Sequence, residues 1–414
     1  MTNETGRTKI VVHVIDVTTL CNSAAIVLGA DANGLGVIRS LGREGIRVIG
    51  VDSNPHTPGL ASRFCEPLLA RDPSVDPQAL LKSLMDLGSK LSFKGVLYPT
   101  SDAYVLFASR FREQLSRYFL FAIPSEEVLE CIVNKRKLYE LAESLGVSYP
   151  ATHFPGTIEE VVAIKDEIEF PAFIKPYYSH LWRKAFRNKG FIVDNPIQLV
   201  KVFTEVFRAG LEAMVQEIIF GPSTNMIEVH AYLSAAFQPL ATFVNKQVRQ
   251  FPVDFGVGTC VESVHDEHAL EIGIKFFKEI GYVGIGEFEC KRDARGIYRL
   301  LDLNARTWQQ IAHSTSAGIN LPLIQYLDLT NQSVPKASDY EDGIKWLDLF
   351  QDVRTFCNLY GRGQLSLLSW MSSLKNVDCH SYFASDDLKP FFRQYLNNIS
   401  EIPPYLDKKS RHSE

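Results

Sequence analysis

The residues best suited to chemistry lie in one stretch, Gly286 to Arg306. Two apolar-rich runs flank Asp293-Ala-Arg-Gly296, a spacing that predicts a β-hairpin. Side chains alternate along a strand, so Asp302, Asn304 and, where the strand continues, Arg306 share one side, while Leu301 and Leu303 turn toward a core. Glu289 on the first strand falls across from Asp302, with Glu287 on the same face as the alternative partner. Two carboxylates, an amide oxygen and a guanidinium on one face make a site for Mg²⁺ and phosphate, because magnesium takes oxygen ligands, usually one or two carboxylates plus substrate phosphates. The competing reading is a solvated polar face, common on antiparallel hairpins. Leu300, Leu301 and Leu303 argue for burial, and buried charges need partners or a metal.

Other candidates are weaker alone. Lys175 ends the apolar run Ala172-Phe-Ile between Pro171 and Pro176, where an interior ammonium is costly unless an anion meets it; a surface Lys is the alternative. The stretch Tyr177 to Gly190 reads as a basic loop whose Arg183, Lys184, Arg187 and Lys189 would cover phosphates as a lid, or simply be solvated. Gln216-Glu-Ile-Ile219, before Phe220-Gly-Pro222, reads as a strand leaving one lobe for the next. Its backbone and Ile218 and Ile219 suit a flat purine, although an ordinary connector reads the same way. Arg249, with Lys246 as a second choice, is a fork for a carboxylate substrate, against the alternative of solvated basic side chains. His230 reads as a satisfied core histidine. The turn Gly29-Ala-Asp-Ala-Asn-Gly-Leu-Gly36 departs from GxGxxG and places Asp31 where a phosphate would sit, so it reads as a tight turn.

The elements that must position these residues follow from pattern. AAIVLGA at 24–30, the helical VIRSLGREG and Arg47 to Asp52 make a strand–helix–strand unit of a parallel α/β domain, continued by strands at 95–100 and 120–124; this domain is placed at 1–130. A small α+β lobe occupies 131–215, a second lobe with strands near 226–233, 241–244, 283–290 and 298–304 occupies 216–330, and 331–414 is mainly helical, packed on the body through Trp346, Phe350, Trp370, Phe391 and Phe392.

At 414 residues the chain suits roughly two to four domains. A net charge of −5 gives no support to nucleic acid or a polybasic membrane contact as partner, and no apolar run is long enough to span a bilayer. Seven cysteines without CxxC spacing suggest neither a disulfide frame nor a zinc site and fit a reducing, cytoplasmic setting.

Taken in order, Lys135, Lys175, the 216–221 segment and the 286–306 hairpin resemble the ATP-grasp superfamily, from about Cys131 to Leu329. With Tyr98-Pro-Thr-Ser-Asp102, Lys246 to Pro252 and Ser385-Asp-Asp-Leu-Lys-Pro390, the whole chain resembles the carboxylate–amine ligase group related to D-aspartate ligases. The resemblance implies a Rossmann-like pre-ATP-grasp domain, a two-lobed ATP-grasp fold and a mainly helical C-terminal segment. It implies ATP and Mg²⁺ (or Mn²⁺) as cofactors and small-molecule carboxylate and amine substrates; a homodimer is the default oligomer. Residue by residue, it implies Lys135 and Lys175 on the ATP phosphates, Glu217 and Ile219 at the adenine hinge, Glu289, Asp302 and Asn304 on the metal, and Arg306 on the phosphoryl intermediate; Lys184 of the basic loop and Gln216 and Ile218 of the hinge complete the expected nucleotide contacts. The sequence departs from the pattern in three places. Asp302 stands where Glu is usual, the flap holds only Gly190, and Ser223-Thr-Asn225 occupies the region of the ribose acid, with Glu228 nearby. Two alternatives remain open from the residues: an ATP-binding regulator without chemistry, and a dinucleotide-dependent oxidoreductase built on the first domain.

Overall fold

The computed structural model describes residues 23–400 apart from 187, 254 and 336–338; the side chains of Ser179, His180, Arg183, Lys184, Ile399 and Ser400 also lie outside the described residues. Five strands open the chain: β1 (Ala25–Leu28), β2 (Val48–Asp52), β3 (Glu66–Leu69), β4 (Gly95–Pro99) and β5 (Phe119–Leu120). They form a parallel sheet in the order β3-β2-β1-β4-β5. All four residues of β1 and all five of β4 are buried, as expected where helices cover both faces of a parallel sheet. The turn after β1 is held by Asp52, which accepts a hydrogen bond from the Ala30 N–H at 2.8 Å. Gly29 takes φ 89°, and a Cβ there would collide with the Thr100 hydroxyl, so this turn requires glycine.

A four-stranded antiparallel sheet follows: β6 (Thr152–His153), β7 (Ala172–Pro176), β8 (Phe191–Val193) and β9 (Ala213–Glu217), ordered β6-β9-β7-β8. The helices Ile158–Ile164 and Pro196–Arg208 back it through Val161, Leu199, Phe203 and Val206. The segment read as a basic loop is instead a helix, Ser179–Phe186. Its Trp182 and Phe186 are one turn apart on one face, pack ring to ring at 4.7 Å, and bury the indole completely. That apolar anchor outweighs the flanking charge.

The largest sheet holds β10 (Met226–Leu233), β11 (Pro239–Phe251), β12 (Val257–Ser263), β13 (Gly284–Arg292), β14 (Tyr298–Asn304), β15 (Lys345–Leu347) and β16 (Cys379–His380), ordered β14-β13-β10-β11-β12-β15-β16. The C-terminal segment therefore contributes two strands to this sheet as well as its helices Leu349–Gly361, Leu367–Ser373 and Lys389–Ser400. Its last part turns back onto the first domain, where the buried Arg39 donates to Asp387 Oδ2 at 3.0 Å and to the carbonyls of Tyr382 and Asp387 at 2.8 Å. No helix among the described residues is long and apolar enough to cross a membrane.

Candidate active site

β13 and β14 pair antiparallel with Glu289 opposite Asp302 and Glu287 opposite Asn304. The register slips between Glu289 and Cys290, so Cys290 pairs with Leu300 and Leu301 is left over. Such a bulge re-aims a side chain. Leu301, expected in the core, lines the cleft, while Leu300 and Leu303 are the buried pair. The alternation rule failed at the one place where the ladder carries an extra residue.

This hairpin forms one wall of a cleft of about 250 Å³ between the two lobes. Lys135, Lys175, Gln216, Glu217, Ile218, Ile219, Glu289, Asp302, Asn304 and Arg306 all line it. Sequence reading missed Phe173, Trp182, Met226 and Phe255 in the same wall. Phe255, beyond the end of β11, stacks on Phe173 of β7 at 4.6 Å and so spans from large lobe to small. Long-range aromatic pairs leave no local signal.

Two lysines enter the cleft by different routes. Lys135 opens the helix Lys135–Ser144, whose N-cap Asn134 accepts from the N–H groups of Arg136 and Lys137. Its Nζ meets Asp302 Oδ1 at 2.5 Å. Burial works against its charge, but Asp302, Tyr139 and Glu289 together outweigh that, and the ammonium is held above its ordinary range. Among the described residues, no carboxylate is paired with Lys175. Its Nζ donates to the Tyr139 hydroxyl at 2.7 Å and to the Leu301 carbonyl at 3.4 Å, and lies 5.1 Å from the Tyr139 ring centroid. Burial, and then the nearby Lys135 charge, push it down to about 7. Tyr139 in turn donates to Leu301 O at 2.9 Å, tying helix, strand and lysine together.

The carboxylates are crowded in the opposite sense. Burial and then the Asp302 charge raise Glu289, and burial with Glu289 and Glu228 raises Glu287. Asn304 turns its amide nitrogen to Glu287 Oε2 and Glu289 Oε1, each at 2.7 Å, and its oxygen to Arg306 at 3.1 Å. Arg306, just past β14, is fixed by Asp102 of the first domain through Nε–H···Oδ1 at 2.8 Å. An oxygen-rich set of two carboxylates and an amide on one wall fits a hard cation such as Mg²⁺.

Other expected residues fall elsewhere. Arg249, read as the fork for a carboxylate substrate, is not in the cleft lining. It is buried, pairs with both oxygens of Asp352 at 2.8 Å, and donates to the Ser373 hydroxyl at 2.8 Å. Asp352 is 103 residues away on a C-terminal helix, which local sequence cannot reveal. Lys246 pairs with Glu262 at 2.7 Å. The Glu217 carboxylate accepts from the Ala151 N–H at 3.0 Å, and the Glu217 N–H donates to the Ala151 carbonyl at 2.8 Å. Gln216 is buried and donates to Thr152 Oγ1 at 2.8 Å. Lys189 lines the cleft, whereas the Lys184 side chain is outside the described residues. His230 is buried and stacks on Trp308 at 3.8 Å, but it is not the satisfied core histidine expected, because its Nδ1 has no hydrogen-bond partner.

No protein-family model matches the chain. It is 26% identical to a D-aspartate ligase of Enterococcus faecium, over 90% of this chain and 96% of the relative. Among solved structures it is similar to an L-amino acid ligase from Bacillus licheniformis, with a TM-score of 0.57, 15% identity and 75% of each chain covered. It is also similar to a biotin carboxylase–β,γ-ATP complex from Campylobacter jejuni, with a TM-score of 0.59, 17% identity, and 75% of this chain and 72% of that one covered. The chain has the ATP-grasp fold and resembles the carboxylate–amine ligases of that superfamily over nearly its whole length.

Proposed function

We propose that this protein is an ATP- and Mg²⁺-dependent carboxylate–amine ligase that activates a small carboxylate as an acyl phosphate and couples it to an amine, releasing ADP and phosphate. The observation that carries the reading is the meeting, in one cleft, of two buried lysines with the Glu289–Asp302–Asn304 face. The nucleotide's base lies against Gln216–Ile219, with Phe173, Met226 and Leu301 as its apolar walls. Glu289, Asp302 and Asn304 would hold Mg²⁺, which when bound offsets the negative charge of the phosphates. Lys175 supplies a cation that no carboxylate directly neutralises, so a phosphate oxygen is its natural partner. Lys135 sits where it can serve both Asp302 and a phosphate.

The carboxylate substrate attacks the γ-phosphorus, the bond to the β,γ-bridging oxygen breaks, and ADP leaves. The amine then attacks the acyl carbon, phosphate leaves, and the amine loses a proton. Arg306, oriented by Asp102 and Asn304, stabilises charge on the transferred phosphoryl group. Because catalysis of this kind rests on positioning, no side-chain nucleophile is required.

A screen of Mg·ATP with amino acids as donors and amines or peptides as acceptors, read by ADP and phosphate release, tests the proposal. Hydroxylamine should trap the activated donor as a hydroxamate. ATP binding without turnover across the panel would overturn the ligase reading and favour a nucleotide-binding regulator.

A further inference from the structure

Beneath the cleft floor, Glu228 and His230 of β10 lie beside Glu287 of β13, all buried, with one ligand atom of each within 4.8 Å of the others. The tautomer of His230 can be traced from a backbone carbonyl. Ile344 O lies 2.8 Å from His313 Nε2 and can only accept, so that nitrogen carries the proton and His313 Nδ1 is an acceptor. Asn245 Nδ2 lies 3.4 Å from His313 Nδ1, which orients the amide and points its Oδ1 at His230 Nε2, 3.1 Å away. His230 Nε2 therefore carries the proton and Nδ1 presents a bare lone pair.

That lone pair has no hydrogen-bond partner, and it lies 3.6 Å from Glu287 Oε1, too far for a shared proton. Glu228 Oε2 is also buried without a partner, although its Oε1 accepts from Gln247 at 2.6 Å. Among the described residues, His230 Nδ1 and Glu228 Oε2 are thus two buried acceptors without a hydrogen-bond partner, beside Glu287 Oε1. Leaving such groups unmet in the interior is destabilising, more so for a charged one. An ion about 2.1 Å from both His230 Nδ1 and Glu287 Oε1 would fill the gap between them.

We infer that Glu228, His230 and Glu287 form a second cation site, separate from the Glu289–Asp302–Asn304 face, that takes a divalent transition ion. Its imidazole nitrogen beside carboxylate oxygens selects Mn²⁺ or Zn²⁺ over Mg²⁺, which prefers an all-oxygen set. Glu287 Oε2 receives the Asn304 amide, so an ion held here fixes the floor on which the cleft carboxylates stand.

The test uses metal-depleted full-length protein without nucleotide, titrated with Mn²⁺ and followed by calorimetry and pulsed electron paramagnetic resonance. One equivalent per chain with ¹⁴N coupling from an imidazole is expected. Glu287→Gln should weaken that binding at least about tenfold, while Asp302→Asn leaves it within about twofold. Absence of imidazole coupling in the saturated wild-type protein would overturn the site, and this readout depends on no variant folding. Binding lost in Asp302→Asn but kept in Glu287→Gln would overturn it equally, assigning the ion to the cleft.

Discussion

The cleft and the seat of the C-terminal segment both bury charge, and they do so in opposite ways. At the seat, each charge meets its match. Arg249 forks onto Asp352, which also accepts from Thr259 and the Trp370 indole, and Arg39 meets Asp387, which accepts from Ser62 as well. In the cleft, Lys135 does pair with Asp302, yet like charges also stand together: Lys175 beside Lys135, and Glu289 beside Asp302. A satisfied buried pair pins structure, and breaking it strands a charge. A crowded set is held apart by the fold around it and is relieved only when a ligand of the missing sign arrives.

Asp302 carries the largest expected effect. Asp302→Ala should lower ADP formation by about a thousandfold or more, roughly 4 kcal/mol of transition-state stabilisation, with an unchanged circular dichroism spectrum. Wild-type turnover in that variant would refute the metal assignment. Arg249→Ala should instead act on stability, costing about 3–5 kcal/mol in denaturant unfolding because Asp352 is left buried and uncompensated, while nucleotide affinity of the folded protein stays near wild type. A loss of substrate affinity at unchanged stability would restore Arg249 to the substrate site. Lys175→Met should lower kcat/KM about a hundredfold, yet raise the melting temperature of the ligand-free protein, since it removes a cation buried beside another. Melting below wild type would show that the cleft is not frustrated.

A further effect, small over any single pH unit, concerns pH. Lys175 titrates near 7 in the folded protein and near 10.5 unfolded. Above 7 the unfolded chain binds the extra proton, so this group adds to stability as pH rises from about 7 to 10.5, and the gain is absent below 7. Nucleotide affinity should run the other way, falling by at most about tenfold per pH unit above 7 as the free cleft loses its cation. Parallel rather than opposed slopes in calorimetry and thermal melts, or slopes unchanged in Lys175→Met, would remove Lys175 as the source.

Much of the cleft was legible because its parts obey local rules. Glu289 across from Asp302 follows from period-two alternation through a short turn, and Lys175 from an apolar strand between two prolines. The first domain's strands were legible as continuous apolar runs, β1 and β2 foremost. Leu301 was misplaced because a bulge is a property of two strands together and leaves no mark in one. The 177–190 segment was misread because its charges are conspicuous in sequence, while the burial of Trp182 depends on Phe186 and on Phe191 across the lobe. β3, with its Pro67 and mostly exposed residues, lacks the apolar run that revealed its neighbours.

The sequence alone determined which chemistry the chain carries: carboxylates, an amide and cations in strand-end positions, in an order that fits a nucleotide cleft. Alternation and capping act over a few residues, so they survive translation from sequence to structure. Only the tertiary structure decided which charges are spent on the fold and which remain for a ligand. In the sequence, Arg249 and Lys175 each read as a cation available to an anion. Asp352, 103 residues downstream, neutralises one, while the other meets only a tyrosine hydroxyl and a carbonyl. That difference rests on packing between distant segments, which is where desolvation and Coulomb attraction are settled.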